Sequence, residues 1–241
     1  MRNVNKLPDF PLHIGVMQSV FDFTNKTQGR DKLYRTAQYV SKLLGWGMQE
    51  LEADPEIIQK LAKLESHAST TRKFFRLGKS LESLQAARKT MALVDPVLRT
   101  TLTISHLNKA GFLFIDHYLW LGRIGIAKVD KRWDYISARF YLGSILLSIL
   151  RDLYAVYIAL KRLEQREQYN EKKVYLPLWV QCLKENPEAT LDLLRNICDF
   201  PIPGSKLGYF PKHNGLVGIC GLVSSLIGAY QVAYPQIKLK P

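Results

Sequence analysis

The sequence predicts an all-α fold: a membrane-associated helical bundle with an N-terminal amphipathic helix and a C-terminal transmembrane helix. Residues 24–47 carry apolar side chains at helical spacing, and residues 215–234 form a run of 20 residues without a formal charge. Between these segments, apolar residues recur at intervals of three and four, and prolines separate the repeats. These patterns are typical of helices, and the run at 215–234 is long enough to cross a bilayer.

The helix predicted over residues 24–47 has an apolar side and a polar side that is basic on balance. With about 100° between successive residues, the apolar side is formed by Leu33, Ala37, Val40, Leu44 and, at its margin, Leu43. Such a helix usually rests its apolar side on a soluble core. Basic residues and flanking aromatic rings are also typical of a helix that lies in a membrane interface. Periodicity alone leaves both interpretations open.

The segment FTNKTQGRDKLYRTAQYVSKLL resembles the N-terminal signature of the peroxisomal membrane protein 11 family. The blocks KLESHAS, FRLGKS, SILRDLYA and LVGICGLVSSL follow in the family's order, and both ends of this region most resemble the alpha member. The resemblance begins at Met17. It therefore predicts a family domain over residues 17–241 and an N-terminal extension over residues 1–16 without a family counterpart.

The resemblance implies a peroxisomal membrane protein that elongates the peroxisomal membrane and promotes division and proliferation of the organelle. In this family the first amphipathic helix is held to insert into the cytosolic leaflet, and self-association concentrates the inserted helices. The membrane-inserting residues are then expected to be Leu33, Tyr34, Ala37, Val40, Leu43 and Leu44. The residues expected at the lipid headgroups are Arg30, Lys32, Arg35 and Lys42.

The formal net charge of +13 allows two kinds of acidic partner, nucleic acid and anionic lipid. Zinc-finger spacing and an aromatic RNA-binding signature are both absent from the sequence, so anionic membrane lipid is the expected partner. The three cysteines and five histidines are dispersed, and phosphate-binding loops and nucleophile motifs are also absent. The sequence therefore predicts no catalytic residues, no metal site and no cofactor, and a protein that is not an enzyme.

The first part of the central chain predicts helices of uncertain relation to the membrane. One helix is expected to begin at Pro55 with Asp54 as its cap, and another covers residues 70–94. Residues 97–121 are apolar but contain several ionisable side chains. Because a charge at the centre of a spanning helix costs about 2.5–3.5 kcal/mol, a packed or half-embedded helix is expected there.

The second part of the central chain predicts one long helix that follows Trp133, then a polar linker over residues 164–173. Two shorter helices flank Asn186 and Pro187. Basic residues then precede the apolar run at 215–234.

The C-terminal run is expected to be the membrane anchor, with a buried core helix as the competing interpretation. Small residues recur in it at a spacing that lets two membrane helices approach closely, which predicts self-association through Gly221, Ser224, Ser225 and Gly228. Tyr230 and Tyr234 lie toward one end, and Lys238 and Lys240 lie beyond it, as interfacial anchors do. The tail is expected in the cytosol, where the family places both termini.

The resemblance further implies homo-oligomers, fission adaptors, a dynamin-related GTPase and the import receptor for peroxisomal membrane proteins as partners. An alternative from another class is a membrane channel or metabolite carrier. It is motivated by Arg99, Lys109 and Asp116, because ionisable residues inside a membrane are by default functional. A soluble helical scaffold is the third interpretation.

Overall fold

The computed structural model describes residues 12–169, 177–211, 213–237 and 239, and this part of the chain contains helices and no strand. The helices are α1 (Leu12–Asn25), α2 (Thr27–Glu50), α3 (Pro55–Phe75), α4 (Lys79–Thr90), α5 (Pro96–Arg123), α6 (Arg132–Tyr169), α7 (Leu178–Glu185), α8 (Pro187–Asp199), α9 (Pro201–Leu207) and α10 (Asn214–Ala233). A short 3-10 helix, Pro235–Ile237, follows α10. The all-α fold is confirmed.

The predicted amphipathic helix is α2, which begins and ends slightly later than residues 24–47. Thr24 belongs to α1, and a bend at Lys26 separates the two helices. The corner is tight: a Cβ atom at Gly29 would lie 1.9 Å from the carbonyl oxygen of Phe23, so only glycine fits there. α1 crosses the predicted domain boundary between residues 16 and 17, and residues 1–11 lie outside the described residues.

The predicted helix over residues 70–94 is wrong in its extent. α3 continues to Phe75, and α4 starts only after a turn at Gly78, whose φ of +81° lies in the left-handed region that favours glycine. The predicted cap at Asp54 is present, since its side chain accepts a hydrogen bond of 2.8 Å from the Glu56 N–H. Asp95 caps α5 in the same way.

α6 is longer than the sequence predicted. Residues 164–169, for which the sequence predicts part of a linker, continue this helix, and residues 170–173 lie outside the described residues. α6 packs antiparallel to α5: Phe112 stacks on Tyr141 at 4.8 Å between ring centroids, and Tyr118 contacts Trp133 at 5.4 Å. The two shorter helices predicted around Asn186 and Pro187 are α7 and α8.

α2 and α10 lie side by side along almost their whole length. A Cβ atom at Gly215 would lie 2.7 Å from the Trp46 ring, and one at Gly228 would lie 2.9 Å from the Lys32 Nζ. The start of α2 is therefore level with the end of α10, and the two helices are antiparallel. Within the described residues, α6 and α10 are the helices that are long and apolar enough to cross a membrane. α10 is the helix predicted over residues 215–234.

Candidate membrane-contact surface and buried ion pairs

The polarity of α2 is the reverse of that of a helix on the surface of a water-soluble protein. Leu33 and Leu44 are 46% and 48% exposed, whereas Asp31 and Arg35 are each 6% exposed. The other predicted membrane-inserting residues divide between exposed Tyr34 and Ala37 and half-buried Val40 and Leu43. Because polar side chains normally face water and large apolar ones the core, this arrangement suits an apolar surrounding.

The four predicted headgroup residues occupy different positions. Arg30 is exposed, and its Nε donates to the Thr24 carbonyl oxygen at 2.7 Å. Lys42 is half-buried, with its Nζ 2.9 Å from Glu65 Oε1, and Lys32 is half-buried against α10. Arg35 lies in the interior and forms an ion pair with Asp199 of α8. Contact with lipid headgroups stays a prediction, and the exposed position of Arg30 is compatible with it. Arg35 instead has Asp199 as its partner in the interior.

The small residues of α10 face other helices of the same chain. A Cβ atom at Gly221 would lie 2.2 Å from the Tyr39 ring, so the glycine gives α2 its close approach. Ser224 Oγ donates to Asp199, and Ser225 Oγ donates to the Gly221 carbonyl oxygen. With Gly228 against Lys32, this face is covered from within. Self-association through these four residues remains a prediction and would require α2 and α8 to move away.

A first cluster of buried charges joins α2, α3 and α5; we call it the α2–α3–α5 cluster. Its members are Asp31, Arg72, Lys73, Arg76 and Asp116. Asp116, only 2% exposed, forms an ion pair with Lys73 and lies 2.9 Å from Arg76 Nη2. Arg72 Nε lies 3.4 Å from Asp31 Oδ1. The cluster has three cations for two carboxylates.

A second cluster joins α6, α8 and α10; we call it the α6–α8–α10 cluster. Its members are Arg151, Asp152, Asp192, Arg195, Asn196 and Gln231. Asp192 is 2.8 Å from Gln231 Nε2, 3.0 Å from Arg195 Nη2 and 3.1 Å from Arg151 Nη2. Asp152 accepts from Asn196 Nδ2 at 2.6 Å. Two cations here match two carboxylates, and every carboxylate has several partners.

The outer surface of the other long helices also carries large apolar side chains. The exposed large side chains include Ile104, Leu107 and Phe114 on α5, Leu146, Leu150, Leu153 and Tyr157 on α6, and Ile219, Leu226 and Tyr230 on α10. Charges inside and apolar side chains outside are the distribution expected of a bundle in lipid, where interior ionisable groups pair with one another. No group of His, Cys, Asp or Glu within the described residues could hold a metal ion.

The sequence makes Arg99, Lys109 and Asp116 candidates for ionisable residues inside the membrane. Asp116 lies at the centre of the α2–α3–α5 cluster, and Arg99 is exposed near the start of α5. The pair formed by Arg35 and Asp199 was missed, because its partners are far apart in the chain. The sequence signal for Asp199 was weak, because α8 also contains Asp192 and Arg195.

Comparison with known proteins gives one consistent result. A family model described as Peroxisomal biogenesis factor 11 matches residues 17–233. Human peroxisomal membrane protein 11A is 36% identical over 245 residues, which cover 93% of this chain and 99% of that relative. Bovine peroxisomal membrane protein 11A is 37% identical with the same shares, and human peroxisomal membrane protein 11B is 34% identical, covering 91% and 98%. No solved structure matches the chain.

Proposed function

The chain belongs to the Peroxisomal biogenesis factor 11 family, and we propose that it elongates the peroxisomal membrane by holding the apolar side of α2 against lipid acyl chains. Its relatives are named peroxisomal membrane proteins, and the chain is a membrane protein of the peroxisome that acts in peroxisome proliferation. The insertion of α2 and the self-association of copies are the parts that need a test.

The observation that carries the proposal is the reversed polarity of α2. Its exposed side contains Leu33, Tyr34, Ala37 and Leu44, and its charged side is closed by ion pairs to other helices. Burying one large apolar side chain in hydrocarbon is worth about 1.5–3 kcal/mol, so this side gains more from lipid than from water. Arg30, at the exposed start of α2, is the residue best placed to meet anionic headgroups.

Docking along α10 sets a condition on the mechanism. Close packing holds α2 on α10, and the pair formed by Arg35 and Asp199 holds it on α8. Insertion of α2 alone into one leaflet requires it to separate from both helices, and separation breaks this buried ion pair at a considerable cost. Homo-oligomers, fission adaptors, a dynamin-related GTPase and the membrane-protein import receptor belong to the proposal on family grounds.

The test replaces the exposed apolar side of α2 in the full-length chain. The variant Leu33→Glu/Ala37→Glu/Leu44→Glu is expressed in cells that lack the endogenous protein, and peroxisome length is measured. A matched control, Leu51→Glu/Val94→Glu/Ile126→Glu, adds the same charge at exposed apolar positions outside the helices. We expect elongation to be lost in the first variant and kept in the control, with both chains resisting alkaline carbonate extraction. Equal peroxisome length with the two variants would contradict the proposal.

A membrane channel or metabolite carrier is the second candidate, and the charged interior is the observation that favours it. The interior charges lie in direct ion pairs, such as Asp116 with Arg76 and Asp192 with Arg151. Such pairs fill space between helices and neutralise one another, which supports a packed interior. Solute flux through reconstituted full-length protein distinguishes this candidate from membrane elongation.

A further inference from the structure

The direction of each helix in the C-terminal part of the chain can be read from pairs of contacting residues. Asp192 of α8 contacts Gln231 of α10, and Asp199 of α8 contacts Ser224 of α10. The two contacts advance by the same number of residues in opposite directions, from 192 to 199 and from 231 to 224. α8 and α10 are therefore antiparallel and in register.

The direction of α6 follows from its contacts with α8 and α9. Asn196 of α8 contacts Asp152, while Lys206 Nζ at the end of α9 lies 2.6 Å from Asp134 Oδ1 near the start of α6. As the chain advances from α8 into α9, its contacts on α6 move backwards. α6 is thus antiparallel to α8 and α9, and it runs in the same direction as α10.

Two helices that cross a bilayer in the same direction need a segment between them that returns across it. In the part of the chain that the structure describes, α6 and α10 are the two helices with the length and composition of membrane spans. We infer that α8 and α9 together, residues 187–207, cross the peroxisomal membrane as the returning segment, with bilayer hydrocarbon against their outer face.

The geometry of this segment meets the requirements of a span. Phe200 has helical φ and ψ of −59° and −44°, and its N–H and carbonyl oxygen bond to Asn196 and Gly204, so α8 leads directly into α9. Pro201 and Pro203 have no N–H, so the helical hydrogen bonds are interrupted at this junction. At about 1.5 Å per residue, residues 187–207 extend roughly 30 Å, the thickness of the hydrocarbon core. Asp199 contacts Ser224, near the middle of α10, which places the middle of the segment near the middle of the bilayer.

The two aspartates that lower the hydropathy of this segment face other helices. Asp192 and Asp199 are 1% and 6% exposed and are bonded to α10. The outer face carries Leu194 and Ile197, which are 44% and 50% exposed. An ionisable residue is tolerated at membrane depth when it faces the bundle interior and has a partner. The segment therefore has a polar inner face satisfied by protein and an apolar outer face for lipid.

This topology assigns each connection to a side of the membrane. The end of α7 and the end of α10 lie on one side, while the corner between α9 and α10 and the connection before α6 lie on the other. A protein with only two spans, α6 and α10, would place the whole connection between them on one side. Lys184 and Tyr209 therefore lie on opposite sides under the inference and on the same side under the two-span arrangement.

The experiment uses cysteine accessibility in isolated intact peroxisomes that carry the full chain. The background variant Cys182→Ala/Cys198→Ser/Cys220→Ser is first checked for carbonate resistance and for absence of labelling. Single cysteines are then introduced at four exposed positions: Lys128→Cys, Lys184→Cys, Tyr209→Cys and Gln236→Cys. A membrane-impermeant maleimide polymer produces a gel shift only for accessible cysteines, and detergent permeabilisation gives full labelling of all four.

We expect Lys184→Cys and Gln236→Cys to shift together, and Lys128→Cys and Tyr209→Cys to form the opposite pair. Labelling of Lys184→Cys and Tyr209→Cys from the same side, whether alone or with the other two, overturns the inference. The result is independent of the role proposed for α2, because it reads topology and not peroxisome length.

Discussion

The two buried charge clusters both neutralise ionisable side chains in the interior, but they differ in their balance of cations and carboxylates. In the α2–α3–α5 cluster, three cations share two carboxylates, and Asp116 has both Lys73 and Arg76 as partners. In the α6–α8–α10 cluster, cations and carboxylates are equal in number, and Asn196 and Gln231 add neutral hydrogen bonds. The first cluster therefore depends on each carboxylate, whereas the second distributes its charge over several partners.

We expect the largest loss of stability when Asp116 is removed. In Asp116→Ala, Lys73 and Arg76 lose their shared partner in the interior, and breaking a buried pair costs about 3–5 kcal/mol. We expect a large fall in the thermal midpoint of the detergent-solubilised protein and a fall in its abundance in cells. The matched control is Asp130→Asn, which removes an exposed carboxylate 3.9 Å from Arg132 and leaves the midpoint unchanged. A midpoint equal to that of the control would contradict the role given to Asp116.

The corresponding change in the second cluster is Asp192→Asn, and its expected effect is smaller. Arg151 keeps Asp152 as a partner, and Arg195 keeps its hydrogen bond to the Gln231 side-chain oxygen. The loss is then that of charge-assisted hydrogen bonds, about 1.5–3 kcal/mol. The same thermal measurement ranks the two variants. If Asp192→Asn is the more damaging of the two, the comparison between the clusters is reversed.

A substitution at Asp95, outside both clusters, is expected to change stability least. Its effect on stability should also depend on pH. At Asp95, the cap of α5, the hydrogen bond from the Leu98 N–H lowers the carboxyl pKa below its usual value, and those from Tyr154 and Val97 act in the same direction. Since the folded pKa is below the unfolded one, Asp95 contributes stability above the unfolded pKa of about 4 and loses it as pH falls through the folded pKa.

Asp95→Asn keeps a capping oxygen but no longer titrates. We expect the thermal midpoints of this variant and the unaltered protein to differ slightly at pH 7 and to converge below about pH 4. A constant difference across that range would show that the carboxylate charge has no part in the cap.

The sequence could predict features that depend on neighbours along the chain. α10 was evident from a charge-free run, and the cap at Asp54 from a carboxylate before a proline. Residues 187–207 did not read as a possible span, because Asp192, Arg195, Asp199 and Lys206 count as costs until their partners are known. The glycines of α10 did predict a close helix neighbour, but a sequence does not say that this neighbour is α2 of the same chain.

The pair formed by Arg35 and Asp199 also has a consequence for biosynthesis. Its partners are separated by 164 positions, so α2 leaves the ribosome long before the carboxylate that neutralises its buried guanidinium has been made. During that interval α2 has an unpaired charge on one side and exposed leucines on the other, and exposed apolar surface in an incomplete chain promotes aggregation. A fragment that ends before α8 lacks this carboxylate. Insertion of the completed chain, shielded by a carrier until its C-terminal helices exist, is the order of events that such a long-range contact favours.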